Sequence, residues 1–286
     1  MSTVAIPGDM PAARRFGWPL RDPEQALFNI DQRRNGQFTV VLNHPILRGV
    51  SAEMIAWWFR NFTRLRIRLE DTPDYEGQTV PAYLLWHPSD HFGAALLGRK
   101  ATDGAPIPGV TKIRVQEAMQ YERYGWRYPV NSELGVFYCG ADGWAMGRRV
   151  PLLGPVMMLR IHFKDVFEGG RPIGVHYHYE ITIGASGDNF VSRMINKRVT
   201  SAFDTEFFAA WRTHNVIEVG VFENFLPALF EQRSEAPTLR YHTSMNPFSD
   251  AGGNAHDRLL FDRRVTALAE AADPHAELGF DQATFL

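Results

Sequence analysis

The sequence predicts an α+β domain in which a long helix lies across a curved antiparallel sheet and encloses a cavity. Three observations carry this. From Lys112 onward, Ile113, Val115, Glu117, Met119 and Tyr121 alternate with Arg114, Gln116, Ala118 and Gln120, giving an apolar and a polar face. Further strand-type runs follow at 133–139, 156–163 and 174–183, separated by turn signals G-A-D-G at 140–143 and E-G-G at 168–170. Finally, Phe207, Trp211, Val221 and Phe225 recur at helical steps after Asp204, a residue suited to capping a helix. Strands in succession with helices at either end indicate an antiparallel α+β domain, not alternating βαβ units.

The remaining elements follow in chain order. Residues 1–35 show no sustained period and read as a mobile or partner-packed arm. Residues 38–42 are a β-branched and aromatic run suited to a strand. Ser51 is a good N-cap for a helix whose stripe is Met54, Trp57, Trp58 and Phe62. G-A-S-G at 184–187 reads as a hairpin turn. Beyond residue 235 the chain is polar and turn-rich, with a short helix expected over 257–272. The expected organisation is an arm over 1–35, a domain over 36–235 and a tail over 236–286.

Composition narrows the function classes. A hydrophobic content of 45% with 13% aromatics supplies ample core for 286 residues. Thirty basic residues against 32 acidic ones give no strong field for nucleic acid or an anionic membrane. Cys139 is the single cysteine, which excludes an internal disulfide and a cysteine-based zinc cluster. The first ten residues lack a basic region followed by an apolar one, and the apolar run at 150–159 is too short to span a bilayer. A cytoplasmic protein is expected. G-x-S-x-G, G-x-G-x-x-G, Walker A and H-E-x-x-H motifs are absent, which speaks against a serine hydrolase, a nucleotide enzyme or a zincin.

Two segments carry chemistry. In W-R-T-H-N-V-I-E-V-G-V-F-E-N-F-L-P (211–227), His214 and Glu218 share a stripe with large apolar residues. An ionised carboxylate there is costly unless paired or bound to a metal. A buried His–Glu hydrogen bond and a shared divalent cation both satisfy that condition. In P-A-Y-L-L-W-H-P-S-D-H-F (81–92), His87 and His91 lie close to Tyr83 and Asp90, and taken alone a histidine beside Pro88 is a loop residue.

Together, W-H-P-S-D-H and H-N-V-I-E-V-G-V-F-E-N-F-L-P resemble two signature segments of the 2,4-diacetylphloroglucinol hydrolase and phloretin hydrolase family. The resemblance covers roughly residues 38–230, and H-x-x-x-E followed by E-N-F-L-P is its specific part. It implies a Bet v1-like helix-grip fold, a homo-oligomer (a dimer), and hydrolysis of the carbon–carbon bond between an acyl group and a phenolic ring. It also implies Zn²⁺ held by two histidines and two glutamates. His91 matches the first ligand, and His214 and Glu218 the helical pair. The remaining glutamate is Glu117 or Glu122: family spacing favours Glu122, and strand alternation favours Glu117, which we take. Tyr83 matches a tyrosine that contacts substrate. R-I-H-F-K-D-V-F-E-G-G resembles a hairpin that brings a histidine to the site, making His162 a candidate acid or base if a bulge turns it inward. Tyr177, on the apolar face of its strand, is expected to point into the cavity, and His176 and His178 into solvent. The run F-G-A-A stands where relatives carry a substrate-binding asparagine, so the ring pattern of the phenolic ketone substrate can differ. Competing expectations are a metal-free helix-grip protein that binds an aromatic or polyketide ligand, and a polyketide cyclase or lyase.

Overall fold

The computed structural model describes Phe16, residues 18–71, 77–151, 153–242, and Met245. The helix expected over 257–272 lies outside the described residues. The large sheet has nine strands: β1 (Leu27–Gln32), β2 (Phe38–Asn43), β3 (Leu47–Arg48), β6 (His91–Leu97), β7 (Lys112–Ala118), β8 (Pro129–Cys139), β9 (Gly143–Val150), β10 (Gly154–Glu168) and β11 (Arg171–Ile183). Their order is β1-β2-β11-β10-β9-β8-β7-β6, all antiparallel, with β3 pairing to β11. A second sheet joins β4 (Arg66–Leu69) to β5 (Thr79–Pro81) and, in parallel, to β12 (Thr238–Tyr241).

The helices are α1 (Ala52–Asn61), α2 (Tyr83–Trp86), α3 (Tyr121–Tyr124), α4 (Phe190–Thr200), α5 (Thr205–Gly220) and α6 (Phe222–Glu231). Ser51 caps α1 through Met54 N, and the Asp204 carboxylate accepts from Phe207 N at 2.7 Å to start α5. The sheet curves around α5, as the alternating apolar faces and the long helical stripe predict. Between them lies a cavity of about 740 Å³ lined from both sides, for example by Ile113, Leu134, Ile161 and Ile181 from the sheet and Phe207 and Trp211 from α5. No helix among the described residues is long and apolar enough to cross a membrane.

Several local expectations change. Residues 27–32, expected in a separate arm, form the edge strand of the large sheet, and Phe16 and Trp18 are buried against its core. Residues 238–241, expected in the tail, pair with β4. The helical stripe does not run unbroken through Phe225: α5 ends at Gly220 and α6 begins at Phe222. The break lets α6 dock on α1, with Phe225 5.1 Å from Trp58 and Phe230 5.6 Å from Trp57. G-A-S-G at 184–187 is a connection from β11 to α4, not a hairpin, and Asn35 and Gln37 side chains bond its carbonyls. Strand β7 stops at Ala118, because Gln120 adopts φ 54° and turns the chain into α3.

Candidate metal centre

The centre forms where two pairs of side chains from two elements face each other. His91 and Glu117 are direct cross-strand partners on β6 and β7, beside a bulge between His91 and Gly93 that lets the pair face inward. His214 and Glu218 are one helical turn apart on α5. The His91 Nε2 atom lies 3.9 Å from Glu117 Oε1 and 3.8 Å from Glu218 Oε1. His214 Nε2 lies 3.8 Å from Glu117 Oε2 and 3.8 Å from Glu218 Oε2. Donor atoms of His91, Glu117 and His214 all fall within 4.8 Å of one another. Each carboxylate thus faces both imidazoles across a gap that one cation, about 2.0–2.2 Å from nitrogen or oxygen ligands, would span.

Both imidazoles are held from behind. His91 Nδ1 donates to the Tyr83 carbonyl at 3.1 Å. His214 Nδ1 donates to Asp90 Oδ2 at 2.9 Å. With Nδ1 committed in this way, Nε2 is the nitrogen turned toward the carboxylates, an arrangement common behind metal-bound histidines. Asp90 is fully buried and also accepts from the backbone N–H groups of Gln120 and Tyr121 at 2.8 and 2.9 Å. His87 stacks on His214, with ring centroids 4.7 Å apart and an interplanar angle of 7°. His87, Asp90 and His214 also form a cluster of metal-binding type. The four bonds that Asp90 makes to Gln120, Tyr121, His214 and Ser89 make it a positioning group for the other centre.

Electrostatics follow from this burial. Burial pushes the Glu117 and Glu218 carboxyls up, against the attraction of His214. Burial alone would raise Asp90, but His87, His214 and the Tyr121 N–H outweigh it and hold the carboxyl well below the usual range. Burial likewise opposes a charged His214, and the hydrogen bond and charge of Asp90, with Glu218 and Glu117, lift it to about 9. A dication among them would offset the two carboxylates and displace the His214 proton.

Tyr83 and Tyr177 both line the cavity at this end. The Tyr83 hydroxyl donates to Glu117 Oε1, and its ring stacks on His91 at 4.1 Å. Toward a bound molecule it offers its oxygen as an acceptor. Burial and the nearby glutamates push both tyrosines well above their ordinary pKa, so both hydroxyls stay protonated.

The structure does not bring His162 to this place. Leu159 and Ile161 point into the cavity and Phe163 into the core, so alternation sends His162 through the other face of β10 toward His178, with ring centroids 6.0 Å apart. The irregularities of β10 fall at Pro155/Met157 and Val166/Phe167, too far along to rotate residue 162 inward. Glu122 is exposed on α3, beyond the end of β7. His176 and His178 do lie on the outer face, but both are half-buried, and His178 Nδ1 is 2.6 Å from Asn43 Oδ1.

Three groups escaped the sequence reading as contributors. Asp90 lies in W-H-P-S-D-H, and its place three residues after His87 and directly before His91 is the signal the sequence offers. Asn215 donates to Glu218 Oε2 at 3.1 Å, and its Oδ1 lies 3.0 Å from His44 Nε2. Burial, then the charge of Arg21, lowers His44 to about 3, so it is a neutral imidazole fixing the Asn215 amide. No sequence signal tied His44 to Asn215 across the fold.

No family model matches the chain, and no curated protein does. Among solved structures, the protein of unknown function SA2116 from Staphylococcus aureus is similar over 65% of this chain and 96% of its own length, at 11% identity and a TM-score of 0.30. Ara h 8.0201 is similar over 66% of this chain and 98% of its own length, at 12% identity and a TM-score of 0.28.

Proposed function

We propose that the protein is a zinc-dependent hydrolase that cleaves the carbon–carbon bond between an acyl group and a phenolic, phloroglucinol-type ring. The observation that carries this reading is the meeting of His91, Glu117, His214 and Glu218 at one end of an apolar cavity, with both imidazoles backed by acceptors. Two neutral imidazoles and two carboxylates balance a dication, and the nitrogen and oxygen donor set suits Zn²⁺. When bound, the cation supplies Lewis acidity toward the acyl carbonyl and lowers the pKa of water beside it.

The chain's own groups then orient the substrate. Tyr177, kept protonated by burial, donates to a ring oxygen, and the Tyr83 oxygen accepts a hydrogen bond from a phenolic hydroxyl while its own proton is donated to Glu117. Hydroxyls ortho or para to the acyl group let the ring take up a proton and behave as a β-diketone. Hydrolysis consumes one water. Its oxygen and one hydrogen end on the carboxylic acid, the ring–acyl bond breaks toward the ring, and the other hydrogen ends on the ring carbon. His162 lies outside the cavity and has no part in this proposal.

Elemental analysis beside an assay on acylphloroglucinols tests the proposal. About one zinc per chain is expected, with turnover lost to a strong chelator and restored by zinc. An acylphenol with an ortho hydroxyl should be cleaved and its O-methylated analogue should not. Full activity in demonstrably metal-free protein overturns the metal role. Tight binding of aromatic ketones with no turnover, and with no metal retained, would leave a ligand-binding protein of the same fold.

A further inference from the structure

Resting on that reading, we infer that the substrate carries an extended apolar acyl chain, which lies along α5 in the part of the cavity beyond the four-residue centre. The cavity holds about 740 Å³, a volume of the size class that encloses a drug-sized molecule. Its reactive groups sit at one end only. Glu218 and Phe207 both line it, and the eleven helical steps from one to the other span roughly 16 Å along α5. On β11, Tyr177, Tyr179, Ile181 and Ile183 line the same space, a distance of about 20 Å along the strand.

The lining hydroxyls that feel the charge of the site glutamates, those of Tyr83, Tyr177 and Tyr179, belong to the reactive end and suit phenolic oxygens, so the ring belongs there. The group on the other side of the carbonyl is then directed into the rest of the cavity. Its wall there is apolar, with Trp144, Ile161, Ile181 and Phe203 facing inward, while the charged lining residues away from the centre, Arg127 and Arg148, are exposed. A short acyl group would leave that wall uncovered, whereas a chain would remove it from water.

A series of acylphloroglucinols from acetyl to decanoyl, assayed with the zinc-loaded full-length protein, tests the inference. The value of kcat/KM should rise roughly fourfold per added methylene until the cavity is full. Val199→Trp and Ile195→Trp, which narrow the lining contributed by α4, should each cut turnover of the decanoyl compound tenfold or more while leaving the acetyl compound unchanged. Acetyl turnover serves as the control for folding. Binding of the O-methylated acetyl and decanoyl analogues, followed by tryptophan fluorescence, gives a readout independent of turnover. A flat series with the acetyl compound cleaved overturns the chain site and leaves the hydrolase reading intact. No turnover anywhere, with the decanoyl analogue still bound tenfold or more tighter, overturns the hydrolase reading and keeps the chain site.

Discussion

At Asp90 a single buried carboxylate joins a turn to an imidazole. Its oxygens accept from Gln120 N, Tyr121 N and His214 Nδ1, so the chain leaving β7 and the face of α5 are fixed to one group. The consequence for the centre is orientational: His214 can present Nε2 to Glu117 and Glu218 only while Nδ1 is held from behind. Asp90→Asn keeps the size but loses the charge that favours a proton on Nδ1. Zinc affinity, measured by competition with a chromophoric chelator, should fall about 10–100-fold, the usual effect of removing such a partner. Unchanged affinity would show that His214 is oriented by its stacking on His87 instead. Tyr83 differs in kind, because its hydroxyl reaches a carboxylate and the cavity together. Tyr83→Phe should lower kcat/KM roughly tenfold, about 1.4 kcal/mol of transition-state binding, without releasing metal.

Two elements decide which glutamate takes part. On β7 the period of two puts Ile113, Val115 and Glu117 on the cavity side, and the cross-strand register sets Glu117 opposite His91. Glu117→Ala should therefore abolish zinc retention, measured by elemental analysis after dialysis, while Glu122→Ala leaves it nearly intact. The reverse result would mean that β7 and α3 exchange register in solution. This much was legible because alternation and helical spacing are local: Glu117 declares its face through Ile113 and Val115, and His214 and Glu218 through one turn of helix. What the sequence concealed depends on distant chain. Alternation sets Tyr177 on the face that lines the cavity, whereas the side taken by His162 depends on where the irregularities of β10 fall. The second sheet joins residues near 67 to residues near 240, and His44 reaches Asn215 across most of the chain. No periodic pattern records such long-range pairings.

Across the whole molecule, the N-terminal segment, the sheet and α6 are tied together at Glu223, in the E-N-F-L-P motif that follows α5. Arg21 approaches Glu223 Oε1 at 2.6 Å, and Arg48 approaches Oε2 at 3.0 Å while its backbone N–H also donates to Oε1. Both arginine side chains are 9% exposed and that of Glu223 5%. Taking three charges out of water makes this trio weak evidence of net stabilisation, yet breaking it is costly, because the partners left behind stay buried and uncompensated. Glu223→Gln should cost about 3–5 kcal/mol of unfolding free energy, measured from urea transitions. The pH dependence has a definite sign. Burial would raise the Glu223 carboxyl, but Arg21 and Arg48 outweigh it and hold it below the ordinary carboxylate value. Its contribution is therefore complete above the unfolded-state pKa and is lost as pH falls through the lower folded value. The wild-type urea midpoint should drop toward that of Glu223→Gln on acidification, closing the gap between them. A gap that stays constant from neutral to acidic pH would mean that the carboxylate charge is not what holds these segments together.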